Sequence, residues 1–286
     1  MFKRVYVEIG NVCNMNCSFC AGTKRPRKQM TLSEFRTVCQ RLCGFTENLL
    51  FHVMGEPLLH PELDAFFKVA AEYGYKVSIT TNGTLLSKKS GILKENKDTI
   101  HRVSISMHAP EGNGMSELSI EDYVNEAVSF AREFSALDKN VVFRLWNLDS
   151  EDKKGKNDNN ETILKILKKI YSGEWEKRYS GYRLAYRTFL EFDGIFTWPS
   201  ESKAEETECG RCHALTQQIA ILADGTVVPC CLDSEGIIPL GNIFDLELDK
   251  ILNSNISLEM KTGFLSGKMV HPLCKKCVYA RRFSKK

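Results

Sequence analysis

The chain has 286 residues, 43% hydrophobic and 26% charged, with a formal net charge of +3. That length can bury a sizeable core as one large domain or a large one plus a small one, and so small a charge argues against nucleic acid or a membrane surface as partner. The start, MFKRVYVEIG, shows neither signal peptide nor membrane span, so eleven cysteines point to a reducing, cytoplasmic setting with thiols as core residues or metal ligands.

Short apolar runs alternate with helical patterns over the first two-thirds, which predicts parallel strands joined by crossover helices. The first strand is expected at Val5–Ile9. Thr31-Leu-Ser-Glu34 reads as a capping box, with Phe35, Val38 and Leu42 at helical spacing behind it. Leu49–Val53 is the second strand. Pro61 suits the first turn of the next helix, whose buried face is Leu63, Phe66, Phe67 and Ala70. Further strands are expected at Lys76–Thr80, Arg102–Met107, Val141–Trp146 and Arg183–Phe192, and a helical stripe at Ile163, Ile166, Leu167 and Ile170. Six strand-then-helix units predict an α/β fold, a partial (β/α)6 barrel over residues 1–200, with its chemistry at the carboxyl ends of the strands. The polar runs 149–160 and 201–208 read as a rim loop and a linker. Residues 201–286 then form a small cysteine-rich α+β domain of a size that often needs a metal or disulfide staple.

The loop after the first strand reads CNMNCSFC and places Cys13, Cys17 and Cys20 close together with no fourth thiol beside them. Zinc wants four ligands, and an ordinary iron–sulfur cube takes four thiolates. Three thiolates leave one iron open. The Cys-x3-Cys-x2-Cys spacing resembles the signature of the radical S-adenosylmethionine (SAM) superfamily. That resemblance implies a [4Fe–4S] cluster on these three cysteines, SAM chelated at the open iron, and reductive cleavage of SAM to a 5′-deoxyadenosyl radical that takes hydrogen from substrate. Phe19 would help to shield such a cluster.

The neighbouring motifs agree, one per strand. MGEP, Met54 to Pro57, is similar to the family's GGEP turn, which implies Gly55, Glu56 and Pro57 as SAM-binding residues; Met54 departs from the first glycine. TTNG ends the third strand, and SISMH the fourth, where Ser104 and Ser106 alternate with Ile105. By resemblance Ser106 is a candidate contact to SAM carboxylate or ribose. Arg144 shares a strand face with Val142 and Trp146, and an arginine inside a barrel needs a carboxylate, either from SAM or from a structural ion pair. Asn147 is a weaker candidate of the same kind.

LADGTVVPC, within Cys212-x12-Gly225-x4-Cys230, and the later Cys274-Lys-Lys-Cys277 resemble the SPASM/twitch extension of radical SAM enzymes. The resemblance implies an auxiliary [4Fe–4S] cluster on Cys212, Cys230, Cys274 and Cys277, in the shorter twitch form. Cys209 satisfies the spacing nearly as well as Cys212, and a four-thiolate zinc ribbon is the alternative for this site. Asp224-Gly225 reads as a hairpin turn. Cys39 and Cys43 read as core thiols. In sulfatase-maturing relatives an aspartate follows the x4-Cys; here Cys231 stands there, and the nearest acid is Asp233.

The expected function is therefore hydrogen abstraction from a small-molecule or peptide substrate, with oxidation through the auxiliary cluster and a reducing partner such as flavodoxin or ferredoxin. The catalytic acid or base is not identified. Glu191-Phe192-Asp193…Trp198 is the candidate for the substrate side. KRPRK, 24 to 28, reads as a solvated loop or a phosphate- or donor-binding patch. Peptide and RNA modification are the enzymatic alternatives; an iron–sulfur electron carrier or zinc-ribbon interaction protein is the other class.

Overall fold

The computed structural model describes residues 1–110, 119–148, 159–194, 197–200 and 205–281. Most of the polar run 149–160 and the first half of 201–208 lie outside these residues.

The barrel strands arrive in the predicted order: β1 (Arg4–Val7), β2 (Asn48–Phe51), β3 (Lys76–Thr81), β4 (Ile100–Ser106) and β5 (Asn140–Leu148). Helices α1 (Leu32–Arg41), α2 (Leu63–Glu72), α3 (Leu86–Glu95), α4 (Ile120–Ala136) and α5 (Asn160–Ile170) follow them in turn. The capping box forms as expected: Thr31 Oγ1 accepts from Glu34 N at 3.2 Å, and Glu34 Oε2 accepts from Thr31 N at 2.7 Å. Leu63, Phe66, Phe67 and Ala70 are the buried face of α2, although that helix begins two residues after Pro61.

The sixth expected strand is two. Arg183–Phe192 is broken between β7 (Gly181–Ala185) and β8 (Thr188–Gly194), an antiparallel hairpin whose outer strand β7 pairs with β6 (Glu176–Arg178). Arg187 makes the turn in the left-handed region, φ 55°, with its guanidinium held by Asp138 Oδ1 at 3.0 Å. β8 is the true sixth barrel strand, parallel to β5.

The cysteine-rich segment supplies β9 (Gln218–Ile221), β10 (Thr226–Val228) and β11 (Gly241–Asn242), then α6 (Leu248–Leu252), α7 (Asn255–Ser266), α8 (Pro272–Lys275) and α9 (Val278–Arg281). The Asp224-Gly225 turn is confirmed: Thr226 N donates to Asp224 Oδ1, and Val227 pairs with Ile221. β9 lies parallel against β1, so the two units share one sheet in the order β11-β10-β9-β1-β2-β3-β4-β5-β8-β7-β6. Alternation then sorts the strands. Val77 and Ile79, Val103 and Ile105, and Phe143 and Leu145 are fully or almost fully buried toward the helices, while Ser78, Thr80, Arg102, Ser104 and Arg144 face the barrel interior. No helix among the described residues is long and apolar enough to cross a membrane.

Candidate functional site

The loop carrying Cys13, Cys17 and Cys20 is closed at its base by backbone and amide bonds. Asn11 N donates to Lys28 O at 3.0 Å, Asn11 Nδ2 to Pro26 O at 2.9 Å, and Lys28 N to Asn11 Oδ1 at 2.8 Å. Arg25, inside KRPRK, is neither solvated nor free for a phosphate: its Nη2 pairs with buried Glu8 at 2.7 Å. Lys28 is engaged by Glu34.

Met15 N points at Cys13 Sγ and Gly22 N at Cys20 Sγ, each at 3.4 Å. Backbone N–H groups aimed at sulfur favour thiolates, the form that binds iron. Burial pushes Cys17 up to about 12, helped by the nearby Cys20 and Cys13 sulfurs, so without metal it stays protonated. The three thiols thus sense one another, and the donor set fits an iron–sulfur cluster with one open position.

The MGEP turn packs directly on this loop. Gly55 has φ 78°, and a Cβ there would stand 2.3 Å from Gly10 O, so only glycine fits. Glu56 N donates to Val12 O at 2.9 Å. The Glu56 carboxylate is buried, accepting from Leu58 N at 3.0 Å, Thr81 Oγ1 at 2.7 Å and Asn82 N at 2.7 Å. Burial raises it to about 7 against the pull of those three donors. Its oxygens are taken up in holding the second and third strand ends together, so the turn offers backbone rather than carboxylate to a ligand. Pro57 opens a short 3-10 turn, Pro57–Leu59, and does not line the cavity described next.

A cavity of about 550 Å³ fills the barrel and reaches the cysteine-rich segment. Cys13, Cys17 and Cys20 border it on one side with Gly55 and Glu56; Cys212, Cys230 and Cys277 border it on the other; Ser106 and Arg144 lie along its wall. Cys212, Cys230, Cys274 and Cys277 also surround a small apolar cavity of their own, with Pro229, Met269 and Leu273. Cys209 lines neither: it is exposed, bridged to Lys268. Among the described residues no three His, Cys, Asp or Glu side chains stand close enough to share a single metal ion. Four thiols around an apolar space are the donor set of a cluster, which is wider than one ion.

Other expected positions fall differently. Asn147 turns away from the cavity and exchanges amide bonds with Asn160, each 3.0 Å. Cys39 is buried but Cys43, four residues on, is exposed at the end of the helix. Asp233 is no free base, since both its oxygens accept backbone N–H at 2.8 Å from Ile237 and Ile238. Cys231 does line the cavity, beside Tyr6.

Two cavity residues, His52 and Arg102, belong to no motif of the sequence, while Trp198 is one expected on the substrate side. His52 and His108 both line the cavity, and burial lowers each to about 4, leaving neutral rings. His108 packs against Phe19 of the cysteine loop in a tilted contact, ring centroids 4.9 Å apart. Trp198 reaches back to the same loop through Nε1 to Phe19 O at 3.4 Å. Arg102 enters from β4. The strand alternation that singles out Ser104 and Ser106 also places Arg102 on the inner face, which is the one local clue to it.

Comparison with known proteins agrees with this geometry. The radical SAM superfamily profile matches residues 7–145, and that of the SPASM iron–sulfur cluster-binding domain matches 209–278. An S-adenosyl-L-methionine-dependent 2-deoxy-scyllo-inosamine dehydrogenase of Niallia circulans is 32% identical over 96 residues, 31% of this chain and 38% of that protein. An S-adenosylmethionine-dependent nucleotide dehydratase of Selenomonas ruminantium is 31% identical over 88 residues, 30% of this chain and 32% of that one. These matches span about a third of each relative's length. BtrN, solved with AdoMet and 2-DOIA, has the same fold at TM-score 0.61 and 16% identity, covering 97% of this chain and 93% of BtrN. AdoMet-bound anSMEcpe gives 0.63 at 17% identity, covering 98% and 88%. The chain belongs to the radical SAM superfamily of enzymes and carries a SPASM-type domain, with a [4Fe–4S] cluster, S-adenosylmethionine and an auxiliary iron–sulfur centre as its cofactors.

Proposed function

We propose that this chain oxidises a small-molecule or peptide substrate held in the central cavity. When bound, the SAM-side cluster would supply the electron for reductive cleavage of SAM and so the means of hydrogen abstraction, and the auxiliary centre would supply an electron acceptor. Cys13, Cys17 and Cys20 would hold the first; Cys212, Cys230, Cys274 and Cys277 the second. Gly55, Glu56 and Pro57 form the turn that lets backbone approach SAM, Ser106 is the side-chain candidate for SAM along the wall, and Arg144 stands beside it in the register. Residues 1–200 are read as the radical-generating barrel and 201–286 as the auxiliary domain, working in a reducing, cytoplasmic setting with a flavodoxin- or ferredoxin-like donor.

One observation carries the reading. A single cavity is bordered by both sets of thiols, so a substrate in it would meet the hydrogen-abstracting side and the electron-accepting side at once. Similarity to a SAM-dependent dehydrogenase supports oxidation as the net outcome. Phe19, tilted against neutral His108 and carrying the Trp198 contact, covers part of the cysteine-loop side, where Cys13 and Cys20 stay exposed.

The test is anaerobic. Protein reconstituted with iron and sulfide, reduced and given SAM should yield 5′-deoxyadenosine, and a Cys13→Ala, Cys17→Ala, Cys20→Ala variant should not. Equal product from both would refute the assignment.

A further inference from the structure

The barrel interior holds a charge cluster that neither set of cysteines explains. Arg102 on β4 and Arg144 on β5 both line the cavity, and Glu191 of β8 stands between them. Its carboxylate is 3.9 Å from Arg102 Nη1 and 3.8 Å from Arg144 Nε. Both distances give ionic attraction, but neither is a hydrogen bond. The Nε atoms of both arginines are buried and have no hydrogen-bond partner among the described residues. Arg144 is only 7% exposed, with its guanidinium 4.2 Å over the Trp146 ring and Nη1 donating to Thr80 Oγ1 at 3.3 Å.

The surroundings add donors and little negative charge. Ser78, Thr80 and Ser104 line the same stretch of wall, and His52 beside them is neutral. Glu56 has both carboxylate oxygens committed to Leu58, Thr81 and Asn82. Two guanidiniums against Glu191 leave one positive charge in excess. Buried charge without a hydrogen-bonded partner is costly, and orphaned buried donors in a native fold call for an acceptor. Guanidinium forks match the planar or tetrahedral oxygens of carboxylate and phosphate.

We propose that Arg102 and Arg144, with Ser78, Thr80 and Ser104, form a subsite for an oxyanion of the substrate, a phosphate or carboxylate group on a small molecule. The proposal rests on the reading that substrate occupies this cavity, and it names the substrate's chemical class. SAM's own carboxylate is the other source of the same chemistry. Position favours the substrate: Arg102 precedes Ser106 by four residues on β4, about 13 Å of strand. Arg144 itself pairs with Ser106 in the strand register, but its Nη1 donates to Thr80 Oγ1, and Thr80 pairs with Ser104, two residues further from the strand end.

The experiment is calorimetric titration of anaerobically reconstituted, unreduced protein with inorganic phosphate, pyrophosphate and acetate, each with and without saturating SAM. At least one anion should bind the wild type with SAM present. Arg102→Gln should weaken that binding by about tenfold or more, the worth of a charge-assisted hydrogen bond, and Arg102→Lys should restore part of it. Circular dichroism and cluster absorbance check the fold; if Arg102→Gln does not fold, Ser104→Ala and Arg102→Lys make the comparison. Displacement of the anion by SAM would give the site to the SAM carboxylate and overturn the proposal. So would no binding of any of the three anions, or affinity unchanged in the variants. Wild-type 5′-deoxyadenosine production is scored separately, so failure of the radical SAM reading is distinguishable from failure of the subsite.

Discussion

Arg25 Nη2 lies 2.7 Å from Glu8 Oε2, and this buried pair joins four parts of the chain. Glu8 follows β1 and accepts Met54 N at 3.2 Å from the MGEP turn and Ala223 N at 3.1 Å from the cysteine-rich segment. Arg25 comes from the far side of the cysteine loop and donates Nε to Ser234 O at 2.8 Å. Burial pushes Glu8 up, against Arg25 and the two backbone donors, so the pair positions these segments more than it adds net stability.

Removing one partner should therefore cost more than removing both. Glu8→Ala leaves a guanidinium buried and should lower unfolding free energy by about 3–5 kcal/mol. Glu8→Leu with Arg25→Met should recover much of that loss. Urea denaturation checks it. A double variant at least as unstable as the single would contradict the account, and iron retained per chain after gel filtration reports whether the cysteine loop has loosened.

The auxiliary site makes a prediction at one position. Cys212 lines the four-thiol cavity and Cys209 does not. Cys212→Ala should lower reconstituted iron from about eight to about four per chain, while Cys209→Ala should keep the full complement. The reverse pattern would move the ligand to Cys209; bound zinc in the wild type would remove the cluster altogether.

How much of this was legible follows from the range of each contact. The cysteine motif, the Gly-Glu-Pro turn and the capping box are local, set by spacing along a few residues, and the structure places them where the sequence does. Ser104 and Ser106 were legible because a strand face repeats every second residue. The β7–β8 hairpin was not: LAYRTF keeps the alternation of one strand, and no glycine marks Arg187 as the left-handed turn residue. Arg25 sits in a run of like charges that reads as surface, because its partner Glu8 lies across a loop and its second acceptor is 209 residues away. Arg102 and Glu191 meet only once β4, β5 and β8 are laid side by side.

Two glycines with nearly the same backbone separate strain from collision. Gly55 has φ 78° and a Cβ position 2.3 Å from Gly10 O; Gly44 has φ 81° and nothing within 4 Å. Gly44→Ala should cost about 1–2 kcal/mol from conformation alone. Gly55→Ala carries that cost and also drives the MGEP turn off the cysteine loop, so it should unfold earlier and, if the proposed role of the turn holds, lose SAM affinity. Equal melting shifts for the two variants would show that the packing of Gly55 on Gly10 and Asn11 does not matter.

His108 should make stability depend on acid. Its ring is buried, with Nδ1 3.2 Å from Arg144 O and 3.4 Å from Trp146 N, and burial lowers it to about 4. The unfolded chain titrates near 6.5. Between those values the unfolded state binds more protons than the native one, so stability rises with pH across this window and is lost as pH falls through it. The contribution is on the order of 3 kcal/mol when the window is crossed in full. His108→Gln removes the titration, so urea midpoints measured from pH 4 to pH 7 should change less in the variant than in the wild type. Taking the difference between the two separates this histidine from the acid sensitivity of the clusters. Parallel curves would mean that the ring takes up its proton without leaving its place against Phe19.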